Sequence, residues 1–293
     1  MHLNYLILCH KNLAQVDNLI DTIQHPNARI FVHIDQKVCT NEIKQQKFIT
    51  SKNVTVLKKR LVVSWGGFSM VESTLLLLTA ALQQHTSGYM ILLSGEDYPL
   101  KPSAEIYSYL NKNYGTQYLE FKSIPDTSWN LNGGEDRFRY YWFVDEIGYH
   151  DSHILYKLQY QNNLQRQIIP NFDFFGGSQW WCITTECVYY IVEFLKKNPD
   201  YLKFFKYSHI PDELFFHCII MNSFMSEQVV NNNLRYIDWN TSSGHPKILT
   251  LDDLNSMKQS NKFWARKIQL PTSENLLKAL DEKFKLKICN YPD

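Results

Sequence analysis

An excess of charge of either sign is what this sequence most plainly lacks: across 293 residues, 30 lysines and arginines stand against 29 aspartates and glutamates, a net charge of +1. No global field remains to recruit nucleic acid or an anionic membrane from a distance. No stretch has the length and polarity of a bilayer span, and the apolar run in MHLNYLILCHKN is too short for one. That run has neither a basic leader nor a small-residue cleavage site, so it does not read as a signal peptide. The six cysteines, Cys9, Cys39, Cys182, Cys187, Cys218 and Cys289, include no Cys-x-x-Cys pair, which excludes a zinc ribbon and a disulfide framework. Most sit in apolar context as small core residues, and a cytoplasmic protein is expected.

Motifs of several chemistries are absent as well. No Gly-x-Gly-x-x-Gly follows the first strand signal and no Gly-x-x-x-x-Gly-Lys-Ser/Thr occurs, which weakens dinucleotide and P-loop readings. The Gly-x-Ser-x-Gly elbow of a hydrolase is missing. So is His-x-x-x-His metal spacing, and His209 and His217 are too far apart for one helical face. Asp-x-Asp, the carboxylate pair with which many nucleotide-sugar transferases hold a divalent cation, appears nowhere. A nucleotide diphosphate bound by this chain would have to be met by side-chain cations.

Apolar periodicity, by contrast, is plentiful. LNYLILC (3–9), RIFVHI (29–34), NVTVL (53–57) and YMILLS (89–94) read as strands. Residues 12–24 place Leu13, Val16, Leu19, Ile20 and Ile23 on one helical face, and residues 69–85 form a long buried helix opened by a capping-box pattern, Ser69-x-x-Glu72. Strands alternating with helices imply mostly parallel pairing in an α/β layered fold. Segment 123–170 turns aromatic, polar and glycine-broken, an excursion with some helix of the kind that carries binding groups. The strand pattern returns at SQWWCIT (178–184), followed by a helix at 185–197, one starting at Pro211, a strand at 234–239, a short helix and a terminal helix at 273–285. No linker composition divides the chain, so one domain over 1–293 is expected, in two halves at 1–122 and 123–293 that part where the excursion begins. The 18 Tyr, 17 Phe and 7 Trp are for the most part core packing.

In open α/β sheets, ligands collect outside the C-terminal ends of the parallel strands. His10 follows the first strand, Asp35 the second, and Glu96-Asp97 the fourth, within LLSGEDYPLKP. Each alone reads as a turn residue; three strand ends in succession point to a site. In FWARKIQL, Arg266 and Lys267 read equally well as a solvated basic pair or as diphosphate cations, with Lys247 in GHPKIL as another candidate. In PDELFFHCII, Asp212 and Glu213 fall in the first turn of a helix, where the macrodipole favours carboxylates. Composition favours that electrostatic reading; the alternative is a carboxylate on a rigid helix start serving as a general base.

Eight motifs in order, ILCHKN, FVHIDQK, VSWGGFSMVESTL, LLSGEDYPLKP, FGGSQWWCIT, PDELFFHCII, NLRYIDW and FWARKI, together resemble the core-2/I-branching β-1,6-N-acetylglucosaminyltransferases and the related peptide O-xylosyltransferases. The likeness runs from about residue 5 to 268, and SWGG, GGSQWW and NLR lean to the xylosyltransferase side. It implies a GT-A-type (Rossmann-like) fold with a mostly parallel central sheet flanked by helices. It further implies inverting transfer of GlcNAc or xylose from a UDP-sugar to a glycan hydroxyl, with neither metal nor other cofactor. By position, Glu213 matches the catalytic base, His10 and Asp35 the uridine and ribose contacts, and Lys267 a diphosphate cation, helped by Lys247 or Arg266. Glu120 resembles an acceptor-contacting carboxylate, Asp97 belongs to a motif beside the site, and Arg137 and Arg139 lie where acceptor-binding cations stand. Trp65 and Trp181 match aromatic positions, of which Trp181 is taken as substrate-binding. The acceptor implied is a growing glycan, lipid-linked at the inner face of the membrane, which would make the protein peripheral there. The rival reading is a carbohydrate-binding protein on a transferase scaffold, without turnover.

Overall fold

The computed structural model describes residues 1–239 and 245–288. Its main sheet holds seven strands, β1 (His2–Cys9), β2 (Ala28–Ile34), β3 (Val54–Val56), β4 (Gly88–Ser94), β6 (Gln117–Ser123), β7 (Phe175–Thr184) and β8 (Val229–Val230), in the order β3-β2-β1-β4-β7-β6-β8. A smaller sheet joins β5 (Asp97–Pro99), β10 (Trp264–Arg266) and β9 (Arg235–Ile237) in that order. The first four strands of the main sheet run parallel, and β7 pairs antiparallel with both β4 and β6. The sheet is mostly parallel and flanked by helices, as the resemblance implies.

The near-continuous apolar runs of β1, β2 and β4 suit strands covered on both faces. Alternation along β1 sends Leu6 and Leu8 into one core and Tyr5, Ile7 and Cys9 into the other. Leu6 and Ile7 are wholly buried on these opposite faces, each contributing roughly 1.5–3 kcal/mol. Helices Leu13–Thr22 and Ser103–Lys112 cover the second face with Val16, Leu19, Ile106 and Leu110. Helices Ser69–Leu82, Thr185–Lys197 and Phe215–Met221 cover the first with Val71, Leu77, Val188, Ile191 and Phe215. Among the described residues no helix is long and apolar enough to cross a membrane.

The long helix does not begin with the expected capping box. Its flanking residue Phe68 makes no side-chain cap, and Asp145 of the excursion caps it from afar, accepting from Ser69 N at 2.9 Å and Ser69 Oγ at 2.6 Å. Gly67 makes room for this carboxylate, since a Cβ there would meet Asp145 Oδ1 at 2.3 Å. The helix expected from Pro211 is a 3-10 turn, Pro211–Glu213, with the α-helix beginning at Phe215. LLSGEDYPLKP continues past its turn into β5, and β6, β8, β10 and helices Ser103–Lys112 and Pro199–Lys206 add to the elements foreseen. Three of these strands have only two or three residues, too few for a period of two to register. The excursion carries helices Asn130–Gly133, Asp136–Arg139 and Val144–Gln161, the last broken at Gly148. Cys289 lies outside the described residues.

Strand order reverses direction between β1 and β4, because β2 and β3 lie to one side of β1 and β4 to the other. The loops leaving these two strands therefore diverge and leave a crevice, the place where open α/β sheets bind ligands.

Candidate active site

A cleft of about 1030 Å³ opens at this crevice. His10 and Lys11 after β1, Asp35 after β2, Glu96 after β4, and Arg266 and Lys267 at the end of β10 line one part of it. Glu96 is the hub. Its carboxylate lies 3.0 Å from Lys11 Nζ, 3.4 Å from Lys267 Nζ and 3.9 Å from Arg266 Nη2. Burial alone would raise this carboxyl; the Lys11 ammonium beside it and the charges of Arg266 and Lys267 outweigh burial and hold Glu96 below the ordinary carboxylate value. Burial lowers the His10 imidazole, against the pull of the nearby Glu96 charge.

Beneath this layer lies a second one. The register of β10 on β5 sets Arg266 opposite Asp97, 3.6 Å away, while the Arg266 guanidinium covers the Trp180 ring at 4.5 Å and donates to Ser94 Oγ. Arg235, fully buried, sits 3.8 Å from Asp97 and donates to the carbonyls of Leu92 and Asn233. Burial brings its guanidinium down to about 10 against the opposing charge of Asp97. Gln15 braces the layer from the helix behind, donating to Gly95 O at 2.8 Å and Ile268 O at 2.9 Å and accepting from Leu270 N at 3.0 Å.

Across the cleft stand Glu120, Asp212, Glu213 and Arg137. Glu213 ends the 3-10 turn that follows Ile210, whose φ of 46° is a left-handed conformation costly for a β-branched residue. Arg137 Nη1 donates to Glu213 Oε2 at 2.7 Å and its guanidinium lies over Trp129 at 4.0 Å, so the excursion orients the carboxylate. Asp212 is buried, with Oδ1 making no hydrogen bond, and burial plus the neighbouring Glu213 charge raise it to about 7. Glu120 reaches the cleft through a bulge: the β6–β7 register shifts between Leu119 and Phe121 and re-aims the residue between them. Gly177 permits this approach, since a Cβ there would lie 1.9 Å from Glu120 O. Desolvation raises the Glu120 carboxyl despite the charges of Lys262 and Lys122. His209 is pushed to about 3 by burial and the Arg137 charge, and its ring stacks on Trp142 at 4.1 Å. Among the described residues no group of three or more His, Cys, Asp or Glu is placed to hold a metal ion.

The family model of the Core-2/I-Branching enzyme matches residues 3–259. The chain belongs to this family. Among curated relatives, Xylosyltransferase 2 of Rattus norvegicus is 26% identical over 302 residues, covering 94% of this chain and 33% of that protein. Xylosyltransferase of Ciona intestinalis is 23% identical over 300 residues, covering 95% and 34%. The chain thus spans about a third of the length of the curated relatives it matches. Among solved structures, S. aureus TarS 1-349 in complex with UDP-GlcNAc is 11% identical, with a TM-score of 0.32 over 57% of this chain and 49% of that one, too slight a likeness to carry an argument.

Of the residues read from the sequence, this Core-2/I-branching chain gathers His10, Asp35, Trp65, Glu120, Arg137, Glu213, Arg266 and Lys267 on one cleft. Asp35 has its oxygens engaged by the backbone N–H groups of Lys37 at 2.8 Å and Val63 at 3.3 Å. Four others stand elsewhere. Asp97 is not a wall residue: it lies behind Glu96 in the second layer, 1% exposed, where Ser94 N and Ser94 Oγ both donate to its Oδ2 across the turn. On β7, Trp181 packs wholly into the core against Phe216, while its neighbour Trp180, at the margin of the same core, lines the cleft. Arg139 pairs with Glu135 at 2.6 Å along its own helix, and Lys247 pairs with Asp253 at 2.6 Å; neither lines the cleft. Residues not selected from the sequence but present on the wall include Lys11, Trp180, Arg235 and Trp239; Glu96, named with Asp97 at its strand end, lines the cleft as well. Each sits within a quoted motif, one or two places from a selected residue or, for Arg235 and Trp239, in NLRYIDW.

Proposed function

We propose that this Core-2/I-branching chain is an inverting glycosyltransferase that moves GlcNAc or xylose from a UDP-sugar to a glycan hydroxyl without a metal ion. The observation that carries the reading is the presence on one cleft of a carboxylate at the end of a 3-10 turn, Glu213, and of the adjacent cations Arg266 and Lys267 at the end of β10. A sugar hydroxyl is a poor nucleophile until its proton leaves. Glu213 takes that proton as the hydroxyl oxygen attacks the anomeric carbon from the side opposite the nucleotide. The bond from that carbon to the diphosphate oxygen breaks, and its electron pair departs with UDP. Lys267 and Arg266 meet the charge growing on the leaving oxygen, and preorganised charge at a developing anion is usually the largest catalytic contribution. Attack from the opposite side inverts the anomeric centre, and one protein base suffices. Arg137 orients Glu213 for the incoming hydroxyl, and Glu120 stands on the same wall for the acceptor.

The test is UDP release from UDP-GlcNAc or UDP-xylose with a glycan acceptor, in the presence of a chelator. Turnover is expected to persist, and Glu213→Gln should bind UDP as the wild type does while turning over roughly 10²–10⁴-fold more slowly. Strict dependence on added Mn²⁺ or Mg²⁺ would defeat the metal-free part. Donor binding with product from neither protein would favour a binding module.

A further inference from the structure

Glu96 is an odd residue to find among the cations of a diphosphate site. It lines the cleft, its side chain is only 7% exposed, and it repels the anion that its neighbours would attract. As a stability device it is a poor choice, because a buried ion pair seldom outperforms well-packed apolar side chains. Its backbone is nevertheless held on both sides: Glu96 N donates to Ser94 Oγ at 3.0 Å, and Ile268 N donates to Glu96 O at 2.9 Å. The carboxylate is therefore fixed within reach of Lys11, Lys267 and Arg266, which come from two other parts of the chain.

The charges of the whole cluster explain its presence. Lys11, Lys267, Arg266 and Arg235 meet Glu96 and Asp97, which leaves an excess of two positive charges. A nucleoside diphosphate sugar brings two negative charges on its diphosphate, so donor binding neutralises the cluster. Without Glu96 the ligand-free site would hold Lys11, Lys267 and Arg266 together with only the deeper Asp97 against their mutual repulsion.

We propose that Glu96 is a displaceable counter-ion that keeps Lys11 and Lys267 gathered in the empty site and yields them to the donor diphosphate, which makes Lys11 a third diphosphate cation. This inference rests on the reading of the cleft as a UDP-sugar site. When the donor enters, the two ammonium groups exchange the carboxylate for phosphate oxygens. When UDP leaves, Glu96 recovers them, so the site does not retain its product as tightly as bare cations would. Glu96 is a positioning residue in this scheme, acting on the donor through its cationic partners.

Calorimetric titration of UDP into the full chain tests this, at low and at high salt. Glu96→Gln should bind UDP roughly three- to tenfold more tightly at low salt, with the gain shrinking as salt screens the unbalanced cations. Glu96→Asp, which keeps the charge, should restore the wild-type affinity and salt slope. Lys11→Met should weaken UDP binding by a similar factor, and its half-exposed side chain makes it informative even where Glu96→Gln does not fold. UDP affinity unchanged or weakened in Glu96→Gln, or unchanged in Lys11→Met, overturns the counter-ion and leaves the functional reading standing. A wild-type chain that binds no UDP at either salt overturns both.

Discussion

At the scale of single residues, neighbours in sequence have opposite fates. Asp212 and Glu213 share one turn, yet Glu213 is engaged by Arg137 while Asp212 is buried with an oxygen unpartnered. Folding takes the Asp212 carboxyl from an ordinary 3.8 to about 7. Between those values the folded chain keeps a proton that the unfolded chain has released, so stability falls as pH rises through the window. Asp212→Asn removes this titration. Relative to wild type it should gain roughly 2–4 kcal/mol on going from about pH 4 to about pH 8. Urea unfolding at both pH values measures the gain, and a difference between the two proteins that ignores pH would dispose of the raised carboxyl. Residue types in PDELFF announced acids at a helix start; that Glu213 meets Arg137 of the excursion while Asp212 is buried is decided only by the fold.

At the scale of elements, a helix read for its apolar face carries its most telling residue off that face. Gln15 is 1% exposed and ties helix Leu13–Thr22 to Gly95 after β4 and to Ile268 and Leu270 after β10. Gln15→Ala would leave three backbone groups without their partner, a loss of roughly 2–4 kcal/mol. Denaturant unfolding checks this, and a loss well under about 1 kcal/mol would mean that water replaces the amide. The helix itself was legible because Leu13, Val16, Leu19 and Ile20 recur at helical spacing. The bulge that presents Glu120 was not, because it depends on how β6 meets β7, a strand more than fifty positions away. The Ser69 end shows the same limit: the local pattern proposed Glu72 as its partner, and the fold supplied Asp145.

At the scale of the whole molecule, the two sheets meet through buried charge. Asp97 on β5 of the small sheet faces Arg235 on β9, which reaches Leu92 on β4 of the large one. Asp97→Ala removes the carboxylate and leaves a fully buried guanidinium unpaired, which should cost roughly 3–5 kcal/mol in denaturant unfolding. Glu96→Gln, one residue earlier and on the cleft wall, should cost much less. Comparable losses from the two would contradict the division into a cleft layer and a supporting layer.

The amino-acid sequence by itself determined the buried parallel strands, the covering helices that begin at Leu13, Ser69 and Thr185, and membership of the family. It also determined the set of ionisable residues from which any site must be built, because apolar periodicity and motif order are properties of the chain alone. Only the tertiary structure decided which member of each adjacent pair faces the cleft, Glu96 before Asp97 and Trp180 before Trp181, and which distant groups share a charge, Lys11 and Lys267 with Glu96. Facing depends on strand register and ion pairing depends on distances of a few ångströms, and both exist only once remote segments have packed together.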